Sequence, residues 1–451
     1  MSKVFFIAAN TTLEPYPVYP LGMAVVSSAL INAGHTVQQF DFLASGKSIS
    51  SLKEKICIFK PDVVCLSMRN IDNVDSFTSH TEWYLDGVKE IIQEVRSCAD
   101  VPIICGGPGF SIAPDLVLDY IGGDYGVQGE GEEEAVEILN KLSHGKIPDR
   151  VTSARRFPLG PDDQESGTYV SEIVDFYKAE SGIFNVQTKR GCPSKCTYCS
   201  YPTIEGSAFR PRNPIHVVDD IERLQERFGA NDFFFTDSVF NDKDRHYVKV
   251  VEEILKRNVK IRWGSFFTPR SRDLELLPLL KESGLYAVEL GTDASSDTTL
   301  RAMKKGFLFD DVFAFSQACV DHKIPVAHFI IFGGPQETMD TLREGLENIK
   351  KLPSCVVFGF AGIRILPDTS LHKQAITEGV VDAENDLLKP VYYISPDIDY
   401  DEMVETITQA WLGDRSRIFP PAKGRKMVNI MKNLGFNGIL WDGLIRFPKR
   451  R

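Results

Sequence analysis

The sequence predicts an α/β protein: two successive series of βα units, each forming a parallel sheet covered by helices, followed by a small, mainly helical extension. Three observations carry this. Short apolar runs alternate with amphipathic segments from Val4 to Cys105 and again from Phe184 to Ile363. A charged stretch of poor periodicity, residues 151–181, separates the two series as a linker. Amphipathic helices near Glu402–Leu412 and Lys426–Leu434 dominate the remainder. The divisions are 1–150, 151–181, 182–370 and 371–451; at roughly 150 residues per domain, a chain of 451 holds about three domains.

In the first series, strands Val4–Ala9, Thr36–Phe42, Val63–Ser67 and Pro102–Cys105 alternate with helices Leu21–Ala33, Ser51–Phe59 and Thr81–Arg96, and a further helix follows at Glu133–Leu142. Sheets of this kind bind ligands beyond the carboxyl ends of their strands. Two loops there are glycine-rich: one holds Gly106, Gly107 and Pro108, the other Gly129, Glu130, Gly131 and Glu132. Taken singly, each reads equally as a turn or as a ligand cradle. The second series has six strands, Phe184–Thr188, Asp232–Thr236, Lys260–Phe266, Tyr286–Leu290, Val326–Phe332 and Cys355–Ile363. Its helices are Val217–Phe228, Asp244–Arg257, Leu274–Ser283, Asp310–His322 and Met339–Leu352. The tail reads equally as a cap over this second unit or as a packing extension.

A net charge of -11 argues against a nucleic-acid surface, which needs clustered Lys and Arg. No apolar run reaches the roughly 18 residues of a spanning helix. The apolar stretch after Met-Ser-Lys is too short for a signal-peptide core, so a cytoplasmic protein is expected. Nine cysteines without a secretion signal read as free thiols plus a metal site.

Cys192, Cys196 and Cys199 form a CxxxCxxC run after the first strand of the second series. A structural zinc site pairs a CxxC knuckle with a second Cys/His pair, and the sequence has no such pair elsewhere. Three soft ligands on one loop suit an iron–sulfur cluster with one iron left open. With Tyr198 before the third cysteine and Arg190-Gly191 ahead of the first, the run resembles the cluster loop of radical S-adenosylmethionine (SAM) enzymes. The resemblance implies a [4Fe-4S] cluster on Cys192, Cys196 and Cys199, SAM chelated to the open iron, and reductive cleavage of SAM to a 5′-deoxyadenosyl radical. It also implies an open, partial (β/α)6 barrel over residues 182–370, since six units are too few to close an eight-stranded one.

Chemistry in such a barrel lies at the carboxyl ends of its strands. Asp237 stands there; by itself it suits an Asx turn, while the family segment implies a contact to the SAM ammonium. Glu289, between Val288 and Leu290, faces the barrel interior, where a carboxylate is rare unless paired or functional. The matching family segment implies that Glu289 belongs to the SAM site, with Thr292 or Ser295 bonding ribose hydroxyls. Gly333 and Gly334 either admit the adenine or form a plain turn. His328 reads as a core or substrate-facing histidine rather than a metal ligand. Arg210 and Arg212 suit anionic ligand groups or a solvated surface.

The first half presents Tyr19, Leu21 and Gly22, then Ser67, Arg69 and Asn70, then the two glycine loops. In that order they resemble the cobalamin-binding domain that precedes many radical SAM enzymes. One departure matters: the DxHxxG motif, whose histidine binds cobalt, is absent, so cobalamin is expected without a protein imidazole ligand. His35, in a helix-to-strand turn, is no replacement. Arg69 is the candidate for the surface beneath the corrin, with an ordinary surface arginine as the alternative.

Residues 1 to about 370 are thus similar to cobalamin-binding radical SAM enzymes of the class B methyltransferase type. The resemblance implies methylation of an unactivated carbon of a small-molecule or lipid precursor, through a 5′-deoxyadenosyl radical and methylcobalamin. A reductant such as flavodoxin or ferredoxin is implied with it. A cobalamin-binding radical SAM cyclase or rearrangement enzyme is the alternative within enzymes; a cobalamin- or redox-sensing binding module is the alternative outside them.

Overall fold

Alternating burial along the first strand already shows the layering: Val4, Phe6 and Ala8 enter one core while Phe5, Ile7 and Ala9 enter another. Burial on both faces is what a parallel sheet between helices requires. The computed structural model describes residues 1–13, 16–78, 83–154, 159–164 and 166–447. Thr81 and Glu82, the expected start of the third helix, Glu165 and residues 155–158 of the expected linker, and the last four residues lie outside the described residues.

The first sheet has six parallel strands in the order Thr36–Asp41, Lys3–Ala8, Val63–Ser67, Ile103–Gly106, Tyr125–Gln128, Val151–Ser153. The direction of winding reverses between Lys3–Ala8 and Val63–Ser67, which opens a crevice beyond their carboxyl ends. Its last strand lies within the expected linker, which also holds the helix Ser171–Glu180. A three-residue strand is too short to show alternation. Ile173, Val174 and Tyr177 of this helix join one core with Met23 and Phe184, and the Tyr177 hydroxyl donates to Asp41 at 2.9 Å. The segment therefore packs the two halves together rather than merely joining them.

The second sheet curls through Ile183–Val186, Asp232–Phe235, Arg262–Phe267, Leu285–Asp293, Val326–Phe332 and Val356–Ala361, all parallel. The helices between its strands carry clear local signals. Pro214–Phe228, for example, starts with Pro at its first position, is capped by the Asn213 side chain accepting from the Ile215 N–H at 3.0 Å, and ends at Gly229 in the left-handed region.

All six expected strands form, but a seventh follows: Arg417–Ile418 of the tail pairs with Val356–Ala361. The sheet stays open, with Ile183–Val186 and Arg417–Ile418 at its two edges. The tail also supplies a lumen plug. Ile439 and Trp441 pack with Phe234, Ala287, Ala327 and Val356 toward the amino ends of the strands. Outside the barrel, Trp411 and Phe419 lie 5.7 and 6.3 Å from the Phe332 ring. Both tail readings therefore apply to different parts of the segment.

Candidate functional site

The strand Ile183–Val186 delivers the chain to the cysteine loop, and a buried ion pair fixes the junction. Lys189 donates to Asp237 at 2.9 Å and to the Phe240 carbonyl at 2.7 Å, with Asp242 3.5 Å away. Asp237 also accepts from the Thr188 N–H at 2.7 Å, from the Thr188 hydroxyl and from the Lys189 N–H at 3.3 Å. Asp237 is 0 % exposed and both of its oxygens accept from these donors. In this structure Asp237 anchors the entry to the loop.

Within the loop, the Cys192 N–H donates to the Gly206 carbonyl at 3.1 Å and the Thr197 N–H to the Met303 carbonyl at 3.1 Å. All three thiols are free. Burial raises the Cys196 thiol, opposed by the Lys305 ammonium, and pushes Cys199 up to about 12. Bound iron would displace those protons. Among the described residues, no three His, Cys, Asp or Glu side chains converge on a single ion. A cubane asks for something else, since each of its thiolates bonds a different iron, and three soft sulfurs on one anchored loop fit that demand.

Two residues that the sequence reading passed over complete this corner. The strand Leu285–Asp293 shifts register between Leu290 and Asp293, and Asp293 takes φ 61. Such irregularities re-aim a side chain. Here the Asp293 carboxylate accepts from the Tyr198 hydroxyl and from Lys305, whose ammonium is 5.8 Å from the Tyr198 ring. The signal lay in plain view: an acid directly after Thr292 and a lysine pair twelve residues on.

The other expected SAM contacts scatter. Thr292 is buried and bonds His328 Nδ1 at 2.9 Å, while Ser316 lies 3.3 Å from Nε2. Burial lowers His328 to about 3, so it is a neutral, satisfied core histidine. The Ser295 hydroxyl packs against helix Met339–Lys351, where a Cβ on Gly345 would come within 2.2 Å of it. Gly333 and Gly334 donate their N–H groups to Glu337, and added Cβ atoms would meet Ile394 and Thr299, so protein already occupies the space beside them. Arg210 and Arg212 pair with Glu130 and Asp220 rather than standing free for an anion.

Glu289 does face the barrel lumen, 4 % exposed, and accepts from the Trp441 indole N–H at 3.1 Å. Burial pushes its carboxyl up from 4.5 to about 7, opposed by the Trp441 bond. A raised carboxyl pKa costs nothing while both states are protonated; the penalty grows above about pH 4.5 and is complete above about pH 7. Glu289→Gln removes that penalty. In urea titrations the variant should therefore gain up to about 3 kcal/mol on the wild type between pH 4.5 and 8. A stability difference that does not change with pH would contradict this placement.

Across from the lumen, a cavity of about 230 Å³ opens at the carboxyl ends of the first sheet. Leu21, Gly22, Ser67, Gly106, Gly107, Pro108, Gly129, Glu130, Gly131 and Glu132 line it. At Gly107, with φ 99, a Cβ would approach the Met68 carbonyl to 2.4 Å, so only glycine lets these two loops stack. A Cβ on Gly22 would meet nothing within 4 Å. It faces the void. Tyr19 does not line the cavity; it packs tilted against Tyr169 and edge-on to Tyr177, with centroids 5.2 and 5.4 Å away. Asn70 lends its backbone to the packing of Gly109. Arg69 is solvent-accessible but stands in a crevice: enclosure lowers its pKa, opposed by the phenols of Tyr16, Tyr177, Tyr201 and Tyr84. Burial holds Tyr16 well above its ordinary pKa, and both Glu289 and Arg69 bear on it. Tyr16 packs against the cluster of Phe234, Ala287 and Trp441. His35 lies at the opposite, amino end of its strand, where its Nδ1 accepts from the Ser2 N–H at 3.2 Å.

Comparison with known proteins finds a family model for each half of the chain. Residues 186–349 match the Radical SAM superfamily and residues 11–139 the B12 binding domain. Tryptophan 2-C-methyltransferase of Streptomyces laurentii is 25% identical over 434 residues, 79% of this chain and 72% of that protein. An anaerobic magnesium-protoporphyrin IX monomethyl ester cyclase of Rubrivivax gelatinosus is 26% identical over 349 residues, 72% of this chain and 60% of the cyclase. The solved radical SAM methyltransferase TsrM of Kitasatospora setae, with cobalamin and a [4Fe-4S] cluster bound, superposes with a TM-score of 0.85 over 98% of this chain and 97% of its own. At 23% identity that match speaks for the fold.

Proposed function

We propose, for a chain that belongs to the radical SAM enzymes carrying a B12-binding domain, that it methylates an unactivated carbon of a small-molecule precursor. One observation carries this reading. The cavity of the first sheet is walled on its far side by Gln187, Arg190, Ile204 and Glu205, which flank the cysteine loop, so the two cofactor sites share a wall. When bound, the cluster supplies the electron that cleaves SAM and cobalamin carries the methyl group. The chain's part is to hold both against one substrate carbon.

The lumen suggests what that substrate presents. Phe266 is 39% exposed on an inward strand position and lies 5.1 Å from Phe234; Phe329 and Phe358 stack at 5.3 Å. These walls suit an apolar, flat face, as in the tryptophan of the Streptomyces relative. Glu289, whose carboxyl burial pushes up to about 7, stands among them. No helix of the described residues is long and apolar enough to cross a membrane. Nine free cysteines support a reducing, cytoplasmic setting, where flavodoxin or ferredoxin would serve as electron donor.

The similarity to the Rubrivivax cyclase favours ring closure as the second reading. Anaerobic protein reconstituted with iron, sulfide and hydroxocobalamin separates the two when incubated with SAM and dithionite. Mass spectrometry is expected to find both S-adenosylhomocysteine and 5′-deoxyadenosine. Deoxyadenosine alone would favour the cyclase, and neither product would leave a binding module.

A further inference from the structure

The wall between the two cofactor sites is built from charge. Arg190, 8 % exposed, donates to Glu132 at 2.5 Å and stands 3.6 Å from Glu130; its Nε donates to Gln187 at 3.1 Å. Glu130 also accepts from Arg210, whose strand Arg210–Pro211 pairs with Lys189–Arg190. Both acids belong to the glycine loop of the first domain, and both line its cavity. Removing either partner of such a pair strands a charge away from water.

The same arginine sits two residues ahead of Cys192. Between them, Gly191 has φ 82, and a Cβ there would come within 2.1 Å of the Ala208 carbonyl. The backbone at this point is confined. The Gly191 N–H donates to Glu205 at 3.0 Å, and Glu205 is itself a cavity-lining residue that also accepts from Gln187 at 3.1 Å. Whatever fills the cavity therefore touches side chains that hold the first cysteine in place.

We propose that Arg190 and Glu132 are positioning residues that couple the two cofactor sites, so that filling the cobalamin cavity and assembling the iron–sulfur cluster favour each other. By linkage the effect is reciprocal: each cofactor raises the other's affinity by the same factor.

This rests on the B12-binding and radical SAM reading, and its test separates the two. Full-length protein is titrated anaerobically with hydroxocobalamin, with and without prior cluster reconstitution, and binding is read from the corrin absorbance. The cluster-loaded form is expected to bind about tenfold tighter, within the roughly 5–150-fold span of coupled sites. Glu132→Gln should reduce that ratio to less than about twofold, Arg190→Lys should keep part of it, and Lys53→Gln at the exposed Lys53–Glu94 bridge should leave it unchanged. Equal affinities in the two wild-type forms overturn the proposal. So does a Glu132→Gln protein that melts at lower temperature yet keeps the full ratio, because the pair is then only structural. Should Glu132→Gln fail to fold, Arg190→Lys carries the same comparison. Loss of both hydroxocobalamin binding and iron uptake in the wild type would instead refute the underlying reading.

Discussion

Replacing Cys192, Cys196 and Cys199 together by Ala is expected to bring iron and sulfide after anaerobic reconstitution from about four each per chain to background. The effect should be complete because no other cysteine can substitute. Cys65, Cys105, Cys319 and Cys355 are buried, and burial pushes the Cys65 thiol up to about 12. Cys57 is exposed on the helix Ile49–Phe59 and Cys98 ends the helix Leu85–Cys98, neither of them on the loop. Single substitutions should weaken retention more gradually, since two thiolates and the anchored backbone remain. The stability of the apo protein should scarcely change, because the loop is held by its backbone bonds to Gly206 and Met303 rather than by sulfur. Iron analysis with visible absorbance decides it. Retention of four iron atoms by the triple variant would remove these residues from the site.

The three-cysteine loop was legible because its chemistry is local: three thiols within eight residues need no tertiary information. The positions of most strands were legible for a similar reason, since period and punctuation are properties of short segments, whereas Tyr125–Gln128 and Val151–Ser153 were too short to show either. Side-chain partners were not. Thr292 and His328 are 36 residues apart and Trp441 and Glu289 152 apart, and no pattern in either neighbourhood announces the other. Glu130 and Glu132 show the same limit from another side. Their place at the cavity was readable from the glycine loop, but their pairing with Arg210 and Arg190 depends on how two domains dock. Short tail elements such as Arg417–Ile418 escape as well, because two residues have no period.

Lys189→Met tests the assignment of Asp237 as an anchor. The lysine is 1 % exposed and its partner fully buried, so the variant leaves a carboxylate in the protein interior with only Thr188 and the Lys189 backbone N–H to satisfy it. Breaking a buried pair in this way costs about 3–5 kcal/mol. At roughly 2–4 °C per kcal/mol for a domain of this size, the melting temperature should fall by about 10 °C. Adding Asp237→Asn should recover at least half of the loss, because the amide still accepts from Thr188 and no charge remains uncompensated. Asp242 is little affected, since it keeps the N–H groups of Asp244 and His246 at 2.9 and 3.1 Å. The double variant also separates anchor from ligand. If Asp237 only secures the entry to the cysteine loop, the reconstituted double variant should bind SAM with wild-type affinity once it is folded. A double variant that is stable and loads iron, yet has lost SAM binding by calorimetry, would return Asp237 to the cofactor site. An unshifted melting temperature in Lys189→Met alone would show that the pair contributes nothing to the fold.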